Sequence, residues 1–390
     1  SATWAVYRGR LQDYFDRTAL DAWAQLTSDA PVSKVRATVR AGRDEMRNLK
    51  LQAALTSPET PIAARPFTVV GRGKINNEPF ELDAAGASLL NVRRDRPYAF
   101  RAEIKAGATQ VAIDGLMNRP FDFGLIRAKL SLSGPDLSRL YPLTGVTLPN
   151  TPPYQLDGDM VRNRPRFELN NIVGRVGDTD LRGNLAVDRV AGRPMLTADL
   201  RSRQLDFDDL ATVLGAPPGV GRGETASPAQ AAEAQRMAAT RRLLPNATLN
   251  MQRVRSMDAR VQYAADAIST SMLPLRRASV TVTLDKGVLT LSPLAFSLPR
   301  GDLAGRVTID ARPEVPMVAL DMRLTNARVE DFMAKKGMIN VVEGALHARA
   351  QLRGPGASVH EAAAHANGQV TFVLPRGEIR EAFAELMGVN

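Results

Sequence analysis

The sequence contains no cysteine, which removes disulfides, thiolate catalysis and thiolate zinc sites together and leaves the redox compartment open. Aromatic residues make up only 5% of its 390 residues, so a core must rest on Leu, Val, Ile, Ala and Met. Histidine is almost absent, occurring at His347, His360 and His365. The pair in His360-Glu361-Ala362-Ala363-Ala364-His365 misses the zinc-protease pattern. That pattern needs two His four residues apart on one helix face; here the spacing is five and the rings diverge. No apolar run approaches the ~20 residues that span a bilayer, and no signal-peptide apolar region is present. The chain opens at Ser1 rather than Met, and the expectation is a fragment whose targeting segment lies upstream. Clustered charge is missing too. The net charge is +10 and 43 of the 51 basic residues are Arg, yet no block of five or more forms, so the pattern fits Arg-favouring codon usage better than a polybasic patch. Without that stripe, and without aromatics for base stacking, no nucleic-acid partner is expected. No cofactor is expected either, since Gly71-Arg72-Gly73 lacks the third glycine and following helix of a dinucleotide loop.

What the chain does contain is apolar residues, 44% of the total, and a repeat. Phe167–Leu210 aligns without a gap onto Leu289–Phe332 at an offset of 122 residues. Ten of the 44 aligned pairs are identical, among them Leu169/Leu291, Gly183/Gly305, Asp188/Asp310, Asp199/Asp321 and Asp209/Asp331. Chance at this composition would give roughly three, so the copies share a structure.

Each copy reads as a meander of strands closed by a short helix. Leu289 and Leu291 alternate with Thr290 and Ser292, the period of a half-buried strand. At Pro293 the apolar phase slips to Leu294, Phe296 and Leu298, and the first copy slips at Asn171; such a slip predicts a bulge or a strand break at a sheet edge. Leu303, Gly305, Val307 and Ile309 then alternate with polar neighbours, and so do Val318, Leu320, Met322 and Leu324. Short turns such as Pro299-Arg300-Gly301-Asp302 predict antiparallel hairpins, because parallel strands need long crossovers. Asp206, Asp208 and Asp209 open the first closing helix, where carboxylates suit capping and the helix dipole better than cation binding. The second closing helix is expected from Asn326 to Gly337, and a last one carries Ile379, Phe383 and Leu386 on one face.

Four segments follow: a partial repeat over 1–66, a repeat region over 67–214, a Gly/Pro-rich then Ala-rich insertion over 215–245, and a second repeat region over 246–390. The fold class is mainly β, a repetitive antiparallel sheet curled into an apolar groove with a few short helices. The sheet is apolar on one side and wet on the other. Its apolar side is lined by Val280, Val282, Leu284, Leu289, Leu291, Val307, Ile309, Val318, Leu320, Met322 and Leu324, while Asp321 and Arg323 face water. A second sheet could cover this lining, as in a sandwich core. The repeated, aliphatic, aromatic-poor face suits acyl chains instead.

The order of motifs resembles the AsmA family. The resemblance runs from Ser131-Leu132-Ser133-Gly134-Pro135-Asp136-Leu137 through Gly174-Arg175-Val176-Gly177-Asp178 and Leu205-Asp206-Phe207-Asp208-Asp209-Leu210 to Leu352-Arg353-Gly354-Pro355-Gly356, covering about residues 65–390. It implies a non-enzymatic periplasmic protein, held at the inner membrane by an upstream helix missing from this sequence. It further implies outer-membrane biogenesis or lipid transport, with phospholipid or another envelope lipid as cargo and envelope assembly proteins as partners. The alternative is a scaffold for outer-membrane protein assembly that works through its sheet edges and holds no lipid.

Overall fold

Wherever apolar and polar residues alternate, the chain forms strands, and the protein is mainly β. The structure, a computed structural model, describes residues 32–41, 49–58, 67–75, 77–87, 96–118, 124–163, 165–190, 193–210, 231–232, 235, 254–270, 274–335, 342–356, 359–375 and 377–379. The chain divides into two compact units, Ser1–Ala128 and Lys129–Asn390.

The first unit is a meander of β1 (Val32–Ala41), β2 (Leu49–Pro58), β3 (Phe67–Ile75), β4 (Glu78–Gly86), β5 (Tyr98–Ala106) and β6 (Thr109–Met117). Each pairs antiparallel with the next. Register aligns Ala53, Gly71, Leu82, Ile104 and Val111 in one cross-strand row, and Gln52, Arg72, Glu81, Lys105 and Gln110 in the adjacent one. Neighbouring rows point to opposite faces of a sheet, so this unit is apolar on one side and charged on the other. The division between units falls within β7 (Leu125–Gly134).

In the second unit a short 3-10 turn and α1 (Tyr141–Thr144) precede β8 (Tyr154–Asn163). Then come β9 (Arg166–Val176), β10 (Thr179–Val190), β11 (Arg193–Asp206) and a 3-10 turn at Phe207–Leu210. The chain resumes with β12 (Asp258–Ser269), β13 (Arg277–Asp285), β14 (Val288–Ser297), β15 (Asp302–Asp310), β16 (Met317–Arg328) and α2 (Val329–Lys335). It closes with β17 (Val342–Pro355), α3 (Val359–Ala364), β18 (Asn367–Val373) and β19 (Gly377–Ile379). Both copies of the 122-residue repeat take the same form: β9, β10, β11 and the 3-10 turn in one, β14, β15, β16 and α2 in the other.

The slip in apolar phase is a bulge in both copies. Asn170 and Asn171 together oppose Asn184 on β10, and Ser292 and Pro293 oppose Arg306 on β15. Asn171 sits at φ 52°, a left-handed conformation that Asn tolerates, and its backbone N–H donates to the Asn184 side chain at 2.9 Å. Both bulged strands have partners on either side, so these are interior bulges rather than breaks at an edge. An unpaired bulge position is where proline's missing N–H costs no ladder bond.

Three expectations need correction. The pairing is antiparallel from β8 to β11 and from β12 to β18, but β11 and β12 run parallel, Met195 opposite Asp258 through Asp206 opposite Ser269. Between Asp206 and Asp258 the chain is long enough for the crossover a parallel pair requires. That stretch includes the insertion at 215–245, which lies outside the described residues except for Ala231, Ala232 and Gln235, all helical. Secondly, α2 starts at Val329 rather than Asn326, because Ala327 and Arg328 still pair with β17 beyond a bulge at Asn326, φ 53°. Thirdly, Ile379 belongs to β19, paired with Val342; Phe383 and Leu386 lie outside the described residues.

Candidate functional site

Registers across the second unit place all eleven expected lining residues in four adjacent rows of one face, ten of them in the first three. The first row runs Phe167, Val187, Leu196, Ala259, Leu284, Leu289, Ile309, Val318. The second runs Met160, Leu169, Leu185, Ala198, Val261, Val282, Leu291, Val307, Leu320, Leu352, one apolar residue from each strand β8 to β17. The third passes through Leu200, Tyr263, Val280, Leu294, Gly305, Met322, Ala350 and Val370. Leu324 continues the pattern one row further, between Leu303 and Ala348. The bulges make this continuity possible: without the added residue in β9 and β14, every side chain beyond it would turn to the other face.

Burial separates this face from a sandwich core. Of the eleven, only Leu284 is buried; the other ten are half-buried. Dry residues of the face include Met160, Leu169, Ala198 and Leu294 within the rows, and two further dry clusters form its rims. At one rim Val146 and Met257 pack with Leu196, Ala259, Leu284 and Ala311, and the Thr147 N–H rests on the Met257 sulfur at 3.1 Å. At the other, Leu275, Leu298 and Ala327 pack with Phe207, Phe296, Leu303, Leu324 and Phe332. Phe207 meets Phe296 edge to face at 6.4 Å between ring centroids, a favoured aromatic geometry. Thus the closing turn of one repeat and the closing helix of the other serve one cluster. Apart from Leu284 and Leu324, these rim residues were absent from the sequence-based lining; their only signal is Phe207 and Phe332 each following a strand within the repeat.

The opposite face is polar and ion-paired. Asp321 takes two bonds from Arg349, at 3.2 and 3.0 Å, and one from Gln351, and the Arg349 guanidinium holds its carboxyl below the usual carboxylate range. Arg166 reaches Asp188 at 2.6 Å. Arg323 is exposed, as parity predicts.

The acidic closing turn behaves differently from expectation. Asp206 caps it, accepting the Asp208 N–H at 3.0 Å. Asp209 instead reaches back to the β9–β10 turn and accepts from the Asp178 and Thr179 N–H groups, both at 2.9 Å, and from the Thr179 hydroxyl at 2.7 Å. Burial pushes its carboxyl up to about 6, with the Thr179 bond pulling the other way and the Asp206 charge adding to the rise. Its repeat partner Asp331 holds the corresponding turn through Arg300 at 3.0 Å. These carboxylates are hairpin clasps. Among the described residues no group of three or more His, Asp or Glu side chains gathers to hold a metal, and no described helix is long and apolar enough to cross a membrane.

The sequence profile of the AsmA family matches residues 22–390. The chain belongs to the AsmA family. A similar protein is the AsmA family protein YhjG of Escherichia coli (strain K12), 28% identical over 331 residues, covering 83% of this chain and 48% of that protein. The AsmA chain described here therefore spans about half the length of that relative. A 49-residue stretch is 59% identical to part of the magnesium-protoporphyrin O-methyltransferase of Rhodobacter capsulatus, covering 12% of this chain and 22% of that one. No solved structure matches the chain. The AsmA profile is not that of a catalytic family by its description. Membership of that family and a sheet with one continuous apolar face fit a role in envelope biogenesis or lipid transport.

Proposed function

We propose that this AsmA-family chain is a non-enzymatic periplasmic wall for lipid, with phospholipid acyl chains lying on the apolar face of β8–β17 between the two rims. The observation that carries the reading is the second row, apolar in ten consecutive strands and only half-buried from Val261 to Leu352. Apolar surface left half in water is a standing cost, and each methylene of an acyl chain laid against it is worth about 0.8 kcal/mol if fully buried. Aliphatic side chains with Met322 among them form an unspecific, adaptable surface. Anchoring at the inner membrane through an upstream helix, and contact with envelope assembly proteins, belong to the same reading. The scaffold alternative is favoured by one feature, the exposed strand β18, which among the described residues pairs with β17 on one side.

A photoreactive residue at Met322 in envelope-expressed protein is expected to capture phospholipid, while the same probe at exposed Arg323 captures little. Equal labelling at both positions would mean general membrane association. No labelling at Met322 in folded protein would turn the reading towards the scaffold. Native mass spectrometry gives an independent check, since a lipid wall retains copurifying phospholipid and a scaffold does not.

A further inference from the structure

One row of the polar face sets like charges directly against each other. On β9 to β12 it runs Val173, Arg182, Arg201 and Ala264. Further along, on β15 to β17, it runs Ala304, Arg323 and Arg349. Like charges directly opposed across a ladder destabilise a sheet, and this row holds two such pairs. Arg201 and Arg323 take the same place in the two repeat copies, 122 residues apart. The pairs differ in what offsets them. In the second copy Arg349 gives its Nε to one oxygen of Asp321 at 3.2 Å and its Nη2 to the other at 3.0 Å. Arg182 and Arg201 are both exposed, and among the described residues neither guanidinium has a hydrogen bond or an ion pair. Their flanking neighbours in the row, Val173 and Ala264, carry no charge. The acids two residues away do not meet them either: Asp180 accepts from Arg203 and from the Gln204 N–H, and Asp199 stands opposite Asn184.

We propose that Arg182 and Arg201 together bind a phosphate monoester on the polar face. Opposed residues of one face have Cβ atoms about 5 Å apart, so two long side chains there can close on one small anion. A carboxylate has two oxygens, and one guanidinium fills both, as Arg349 fills those of Asp321. A phosphate monoester carries a charge of about −1.5 to −2 at neutral pH and three acceptor oxygens, enough for two guanidinium forks. A phosphate diester, with two free oxygens and a single charge, satisfies the pair less well. The bound anion also cancels the repulsion between the two arginines, so one event supplies both gains. In the second pair Asp321 already plays the anion's part. A soluble phosphomonoester and a phosphatidic-acid headgroup offer the same chemistry. The inference does not rest on the lipid reading, since the arginines lie on the face away from the apolar rows.

Inorganic phosphate is titrated into the full 390-residue chain at fixed ionic strength, which holds charge screening constant. Calorimetry is expected to show binding, and the thermal midpoint to rise with phosphate as it does for any ligand of the folded state. Arg182→Gln and Arg201→Gln are each expected to weaken binding about tenfold or more, the loss of one charge-assisted fork. Without phosphate both variants should melt above the parent, because the opposed charge is gone. Arg260→Gln is the control, since Arg260 is exposed and likewise unpaired among the described residues; it should keep the parent's phosphate response. Vesicles separate the two sources. Flotation with vesicles of equal parts phosphatidylcholine and phosphatidic acid, lost in both variants, assigns the phosphate to a headgroup. Phosphate binding without flotation assigns it to a soluble monoester. Neither phosphate binding nor flotation overturns the proposal. So does a response that Arg260→Gln weakens as much as Arg201→Gln, or equal flotation on phosphatidylglycerol vesicles, which present diesters. Variants that melt well below the parent overturn it too, since the arginines would then be holding the fold.

Discussion

Arg193 on β11 holds Asp258 on β12 by two guanidinium contacts, Nε at 2.7 Å and Nη2 at 3.0 Å, across 65 residues of chain. The same Nη2 donates to the Met257 carbonyl at 3.0 Å, and the Lys286 N–H donates to Asp258 at 2.9 Å. The cluster fixes the start of the β11–β12 parallel pair, where the returning chain re-enters the sheet.

Asp258→Asn is therefore expected to lower unfolding stability by about 2 kcal/mol, the range of a partly buried charge-assisted hydrogen bond. Arg193 holds the Asp258 carboxyl below its ordinary range. The pair's stabilisation is thus present above the unfolded carboxylate value and disappears as pH falls through the lowered one. Urea unfolding of Arg193→Ala, Asp258→Ala and the double variant should give a coupling of about 1 kcal/mol or more. Zero coupling would reduce the contact to a surface ion pair.

Asp209 has the opposite linkage. Its folded value, about 6, lies above the ordinary 3.8, so the folded state holds more protons between those two values and this group's contribution to stability falls as pH rises through that window. Asp209→Asn should flatten the stability profile between pH 4 and 7 relative to the parent, measured by urea midpoint at each pH. An unchanged profile would mean the carboxyl is ionised throughout.

Gly183 and Gly305 explain one identity of the repeat. A Cβ at either would stand 2.0 Å from a backbone carbonyl oxygen of the next strand, Asp199 in one copy and Asp321 in the other. Because backbone must shift, Gly305→Ala is expected to cost about 1–3 kcal/mol, as overpacking does. Thermal melting of Gly305→Ala beside the exposed-position control Arg323→Ala gives the comparison, and equal midpoints would contradict the close approach.

The connection that returns the chain from β11 to β12 supplies a fourth test. Replacing residues 218–242 with a short Gly-Ser linker should leave the thermal midpoint nearly unchanged, provided the remaining chain exceeds the dozen or so residues a crossover needs. A large drop would mean that the replaced residues contribute to the core.

The strands, the bulges and the parity of the apolar face were legible because each is a local period: Leu289 and Leu291 alternate, and Pro293 interrupts them. What was not legible depends on residues far apart. Alternation is blind to the direction of a neighbouring strand, so nothing in β11 or β12 announced their parallel pairing. Asp209 looked like a capping residue because its real partners lie 30 residues upstream. Thr147 and Met257, in contact at one rim, are separated by 110 residues. The half-burial of the face was equally hidden, since a sandwich core and an uncovered sheet are written with the same alternation.

The parallel step also sets the symmetry of the second unit. The repeated strands are five positions apart in the sheet, β9 with β14 and β11 with β16. In a purely antiparallel sheet an odd separation would point the two copies in opposite directions and send their closing segments to opposite banks. One parallel pair between them resets the phase, so the corresponding strands of the two copies share a common heading. That is why Phe207 and Phe332 meet on one bank, while Val146 and Met257 occupy the other. The apolar face consequently has a handed cross-section, the same left and right banks in both repeats.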